Sequence, residues 1–142
     1  MDAYFATFPG VRRYMDAVVE QARETGYVET LFHRRRDLPE LSSSNRNLRA
    51  FGERVALNMP IQGTAADIMK LAMIAVWKGL RETIPEARLV LQVHDELIVE
   101  CPEEKAAAVA QLLTEKMEHV VSLAVPLTAD AIGAKTGWRP RG

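Results

Sequence analysis

Three ionisable side chains stand side by side at His94-Asp95-Glu96, between Leu89-Val-Leu-Gln-Val93 and Leu97-Ile-Val-Glu100. Carboxylates are hard oxygen donors suited to divalent cations, and imidazole titrates near neutral pH. Neighbouring strand residues point to opposite faces, so the three cannot easily ligate one ion. One carboxylate facing a groove is the minimum functional reading, which makes Asp95 half of a metal site. A capped, solvated turn accounts for the same residues. Two-metal phosphoryl chemistry needs carboxylates that bridge ions about 3.5–4 Å apart, usually from separate segments. Within this chain Asp130 falls in an expected strand with nothing local to mark it as a ligand, and Asp67 lies mid-helix among alanines.

A second constellation is Arg54, Asn58 and Gln62, at i, i+4 and i+8. On a helix these positions form one ridge, opposite the stripe Phe51-Val55-Met59. Arginine holds phosphate, while Asn and Gln carry both donors and acceptors and suit base-edge and sugar contacts. An ordinary solvent face is the alternative, although such faces more often carry Glu and Lys. His33 and His119 have no partner at metal-ligand spacing, and Cys101 has no basic neighbour to activate it. The sequence contains neither a glycine-rich phosphate loop nor a Gly-x-Ser-x-Gly elbow.

Composition sets the limits on these readings. The chain has 142 residues, 48% hydrophobic and 26% charged, which is one domain's worth of ordinary globular sequence. A single cysteine excludes an internal disulfide and suits a reducing cytosol. No apolar run approaches the roughly 20 residues that span a bilayer, and Met1-Asp-Ala-Tyr-Phe5 lacks the plan of a signal peptide. The net charge of −1 hides an asymmetry: arginines gather in residues 33–54 and acids in residues 82–118. Such halves suit a polyanion groove beside a metal site, or simply two solvated faces.

Several elements must position these groups. Val11, Tyr14, Met15, Val18, Val19 and Ala22 predict a helix over 9–25, with Pro9 in its first turn and Gly26 as its stop. Tyr27-Val-Glu-Thr-Leu31 and Arg35-Arg-Asp-Leu38 predict a short basic ribbon, and Ser42-Ser-Ser-Asn45 a polar connector that caps the next helix. That helix should run over about 45–80 and bend at Pro60 and Gly63. Its first stripe is Leu48, Phe51, Val55 and Met59; its second is Ile68, Met69, Ala72, Met73, Val76 and Leu80. Pro85 breaks the chain before the hairpin, whose turn is expected at Asp95-Glu96. Pro102 opens another helix with Val109, Leu112, Leu113, Met117 and Val120 inward, Val125–Ile132 reads as a third strand, and residues 133–142 as loop. The expected class is α+β, with long helices packed on a small antiparallel sheet made of the hairpin and one more strand.

Gln92-Val-His-Asp-Glu-Leu97 resembles motif C of the family A DNA polymerases, the bacterial DNA polymerase I group. Glu53-Arg-Val-Ala-Leu-Asn-Met-Pro-Ile-Gln-Gly-Thr-Ala-Ala-Asp-Ile-Met-Lys70 resembles the long helix running into that family's palm, and Gly26-Tyr-Val-Glu-Thr-Leu31 the segment before it. The likeness runs from about Tyr4 to Trp138. It implies that Asp95 is the catalytic aspartate holding Mg²⁺ ions that act on the primer 3′-hydroxyl and the dNTP. Glu96 would be its supporting acid and His94 would lie near the primer terminus, while Arg54, Asn58 and Gln62 would contact primer–template DNA. It further implies residues 1–45 on the fingers side, 46–142 in the palm, and work in replication and repair in the bacterial cytoplasm, at the nucleoid. Motif A, the fingers helix that holds the nucleotide, the thumb and any exonuclease domain are not in the chain. It is therefore expected to be the C-terminal part of a polymerase domain, with the missing N-terminal part as partner, and inactive alone. A non-catalytic DNA-binding fragment or a truncated remnant is the alternative. His33 stands in the ribbon turn where relatives commonly carry glycine.

Overall fold

The computed structural model describes residues 6–134, and its elements follow the expected order as far as the last helix. Helix α1 (Pro9–Thr25) begins on its proline and ends at Gly26, whose φ of 81° lets its N–H return to the Ala22 carbonyl at 2.9 Å. Strands β1 (Tyr27–Glu29) and β2 (Arg35–Asp37) pair antiparallel with Val28 opposite Arg36. Helix α2 (Arg46–Thr83) passes through Pro60 and Gly63 without interruption. Hairpin strands β3 (Arg88–Val93) and β4 (Glu96–Glu100) follow, then helix α3 (Ala106–Glu118) after a short 3₁₀ turn over Glu103–Lys105.

The chain divides into two compact units between Asp67 and Ile68. In the first, Ala22, Val28, Leu38, Leu41 and Ala56 are buried, with Val18, Val19, Val55 and Met59 packed against them. The inward face of α2 here differs from the expected stripe. Leu48 and Phe51 are exposed, while Gly52 and Ala56 face the core. Space explains the exchange: a Cβ at Gly52 would lie 3.0 Å from Leu41 Cδ2, so small residues admit the leucine that larger ones would displace.

In the second unit Val76, Leu80, Ile84, Ala87 and Val109 form the core, with Leu89, Leu97, Val99, Cys101, Leu112, Leu113 and Met117 around them. Val76 and Leu80 of the second expected stripe of α2 lie in it, as do Val109, Leu112, Leu113 and Met117 of the expected stripe of α3. The hairpin is bulged, and the expected third strand does not form. The register steps between Leu89↔Val99 and Leu91↔Ile98, so Val90 is an extra, bulged residue. A bulge reverses the facing of the residues beyond it in the strand. Leu89 stays on the core side with Val99, whereas Leu91 and Val93 turn outward and are 53% and 38% exposed. Residues 125–132 also form no strand. Instead the Ala129 N–H donates to Glu118 Oε1 at 2.9 Å and its carbonyl accepts from Thr114 Oγ1 at 3.4 Å. Groups that would join a ladder are thus taken by side chains of α3.

Candidate nucleic-acid and metal-binding site

Pairing of Val93 with Glu96 leaves His94 and Asp95 as the two turn residues, one position earlier than the sequence suggested. His94 has a φ of 51°, and Asp95 does not share the positive sign. That is the sign pattern of a type II′ hairpin turn, whose first central position normally belongs to glycine. The side chain of Gln92 supports the turn by donating from Nε2 to the His94 carbonyl at 2.7 Å. Asp95 therefore sits exposed at the apex, with Glu96 beginning β4 and no ion pair to either acid among the described residues.

Donor chemistry suits Asp95 as one ligand of a hard cation. It is not a complete site, because no group of three metal-ligating side chains occurs among the described residues. Neither alternative acid completes it. Asp130 is exposed in a shallow groove of about 710 Å³ lined also by Thr114, Glu115, Glu118 and His119, and Asp67 is tied to Arg34.

Arg54, Asn58 and Gln62 are all exposed on α2, as a solvent-facing ridge requires. The Arg54 guanidinium carbon lies 6.0 Å from the Phe51 ring centre, so the ridge runs beside the Phe51 stripe and not opposite it, as residues three apart on a helix are neighbours, and the exposed phenyl supports the arginine rather than filling a core.

Contacts that the sequence did not reveal join the ribbon to this helix. Arg34 Nε donates to Asp67 Oδ1 at 2.9 Å and Nη2 to the Gly63 carbonyl at 3.1 Å. The Leu31 N–H donates to Thr64 Oγ1 at 2.9 Å, and that hydroxyl donates on to the Pro60 carbonyl. The available signal was Asp67 itself, since a half-buried acid on an alanine-rich face calls for a cation.

In the ribbon, Glu29 accepts from Arg35 Nε at 2.7 Å and meets His33 Nδ1 at 3.0 Å. The His33 hydrogen bond, then that of Arg35 with the charges of both, outweighs burial and holds the Glu29 carboxyl below its ordinary range. His33 takes a φ of 61°, the left-handed geometry that favours glycine. His119 and Cys101 remain outside any site: the former meets the Glu115 carbonyl, and the latter flanks the second core.

Among the described residues no helix is long and apolar enough to cross a membrane. Residues 1–139 match the family model described as DNA polymerase family A. DNA polymerase I of Geobacillus stearothermophilus is 55% identical over 92% of this chain and 15% of its own length. The thermostable DNA polymerase I of Thermus aquaticus is 49% identical over 97% of this chain and 16% of its own. Among solved structures, the POL domain of Pol1 from M. smegmatis, in complex with DNA primer-template and dNTP, aligns with a TM-score of 0.86. It is 50% identical and is matched over 89% of this chain and 22% of that one. The chain thus spans about one-sixth of the curated relatives it matches.

Proposed function

From the membership of this chain in DNA polymerase family A, we propose that it is the motif C segment of a DNA-directed DNA polymerase. In this reading it supplies one metal-holding aspartate and part of the primer–template surface. The observation that carries it is the presentation of Asp95 at the apex of a two-residue turn, held by the Gln92 hydrogen bond to His94.

Asp95 would hold divalent cations of the Mg²⁺ class, with Glu96 adding negative charge beside it. When bound, such ions neutralise charge on the triphosphate and favour the attacking form of the primer 3′-hydroxyl. The chain's own residues orient the reactants. Arg54 offers a permanent cation to the DNA backbone, while Asn58 and Gln62 offer mixed donors and acceptors to sugars and base edges near the terminal pair. His94 would lie beside the primer terminus, and its positive φ closes the two-residue turn that carries Asp95. The remaining ligands and the nucleotide-binding helix would come from the polymerase's N-terminal part, and the work would be done on bacterial DNA in the cytoplasm.

A primer-extension assay on the purified 142-residue chain tests the division of labour. With Mg²⁺, dNTPs and labelled primer–template, the expected result is salt-sensitive binding without extension. Templated extension by this chain alone would contradict the assignment of a single metal-holding aspartate. Loss of binding at low salt would contradict the primer–template surface.

A further inference from the structure

Three consecutive arginines occupy the ribbon, and their environments differ. Arg35 is held by Glu29 and stacks over the Tyr27 ring at 4.3 Å. Arg36 is exposed and forms no ion pair among the described residues. Arg34 reaches away from the ribbon to α2, where it bonds Asp67 and the carbonyl of Gly63, the residue immediately after Gln62. The contact is close: a Cβ on Gly63 would lie 2.7 Å from Thr30 Cγ2, and Thr30 is itself only 4% exposed.

We propose that Arg34 and Asp67 are a positioning pair. They fix the ribbon tip against the turn of α2 that ends the Arg54-Asn58-Gln62 ridge, so that Arg36 and the ridge meet primer–template DNA as one surface. The inference rests on the reading that the ridge binds DNA.

The chemistry of the pair favours a specifying role over a merely stabilising one. Asp67 has a side chain 13% exposed, and its Oδ2 is buried without a hydrogen-bond partner. An apolar pair of similar volume would serve stability as well or better, whereas an ionic pair rejects other registers by leaving a buried charge unmatched. The guanidinium also satisfies a helix carbonyl, so it fixes direction as well as distance. Because Gly63 follows Gln62 in the same helical turn, the pair anchors the ribbon at the end of the ridge.

A full-length family A polymerase carrying this chain as its matching segment provides the test. Primer–template Kd is measured across salt concentrations, at a temperature where circular dichroism shows each variant folded. Asp67→Asn removes a negative charge, which by electrostatics alone would tighten binding to a polyanion. The pair instead predicts weakening by about tenfold for Asp67→Asn, the same for Arg34→Met, and no further loss in the double variant. Both should leave the slope of log Kd against log salt unchanged, whereas Arg36→Met should lower it by about one, as loss of a phosphate contact does. Arg34→Lys, which keeps the charge facing Asp67, should recover part of the affinity.

Unchanged or tighter binding by Asp67→Asn would overturn the proposal. So would an Arg34→Met slope reduced by one, additive losses, or an Arg34→Lys no better than Arg34→Met. Arg54→Ala separates the two readings. If it leaves Kd unaltered, the DNA-binding role of the ridge fails. If it weakens binding while Asp67→Asn does not, the positioning pair alone fails.

Discussion

At the scale of single residues, two histidines stand where the backbone asks for glycine. His33 and His94 both take positive φ, at 61° and 51°, and each lies in a turn that carries a charged neighbourhood. For an L-residue this geometry costs about 1–2 kcal/mol, so surrounding contacts must hold it. At His33 the Glu29 carboxylate is such a contact, and at His94 it is the Gln92 amide. Gly63 is the converse case, a glycine required by proximity. Gly63→Ala should lower stability by about 1–3 kcal/mol, because its new methyl meets Thr30 and the packed contact cannot open freely. Urea denaturation of the chain checks this, and a neutral or stabilising alanine would contradict the close approach.

At the scale of elements, the ribbon couples its geometry to proton binding. Glu29 has a carboxyl held below the ordinary glutamate value, first by His33 and then by Arg35. The unfolded chain therefore takes up this proton at higher pH than the folded one. The associated stabilisation is present above the ordinary value of about 4.3 and is lost as pH falls through the lower folded value. An NMR titration should place the Glu29 midpoint below the ordinary glutamate value of about 4.3, and Arg35→Ala should raise it. A Glu29 midpoint at or above the ordinary glutamate value would contradict the ribbon's ion pairs. Much of the element order was legible in the sequence, because helix stops, prolines and the stripe of Ala72, Val76 and Leu80 depend on local chemistry. The exposed ridge and the Asp95 hairpin were legible for the same reason. Features set by contact between elements were not. Val90 is left out of the pairing between β3 and β4, Leu48 and Phe51 yield the core to Gly52 and Ala56 because Leu41 fits there, and residues 125–132 bond α3 in place of a strand. The Arg34–Asp67 bond joins positions 33 residues apart, beyond any periodicity.

At the scale of the whole molecule, the bulge has a consequence for solubility. It leaves Val90, Leu91 and Val93 at 51%, 53% and 38% exposure on a two-stranded sheet. An outward apolar sheet face invites association. The isolated chain should self-associate with rising concentration, and replacing Leu91 and Val93 together by lysine should suppress this without unfolding the second core. Sedimentation velocity checks it, and a monomeric parent at high concentration would contradict the exposed face. In a full-length family A polymerase carrying this chain as its matching segment, Asp95→Asn is compared with the parent for single-nucleotide incorporation rate and primer–template Kd. The expected rate is lower by about three orders of magnitude or more, with Kd changed far less. Comparable losses in both, or a rate near that of the parent, would contradict the assignment of Asp95 to the reacting centre.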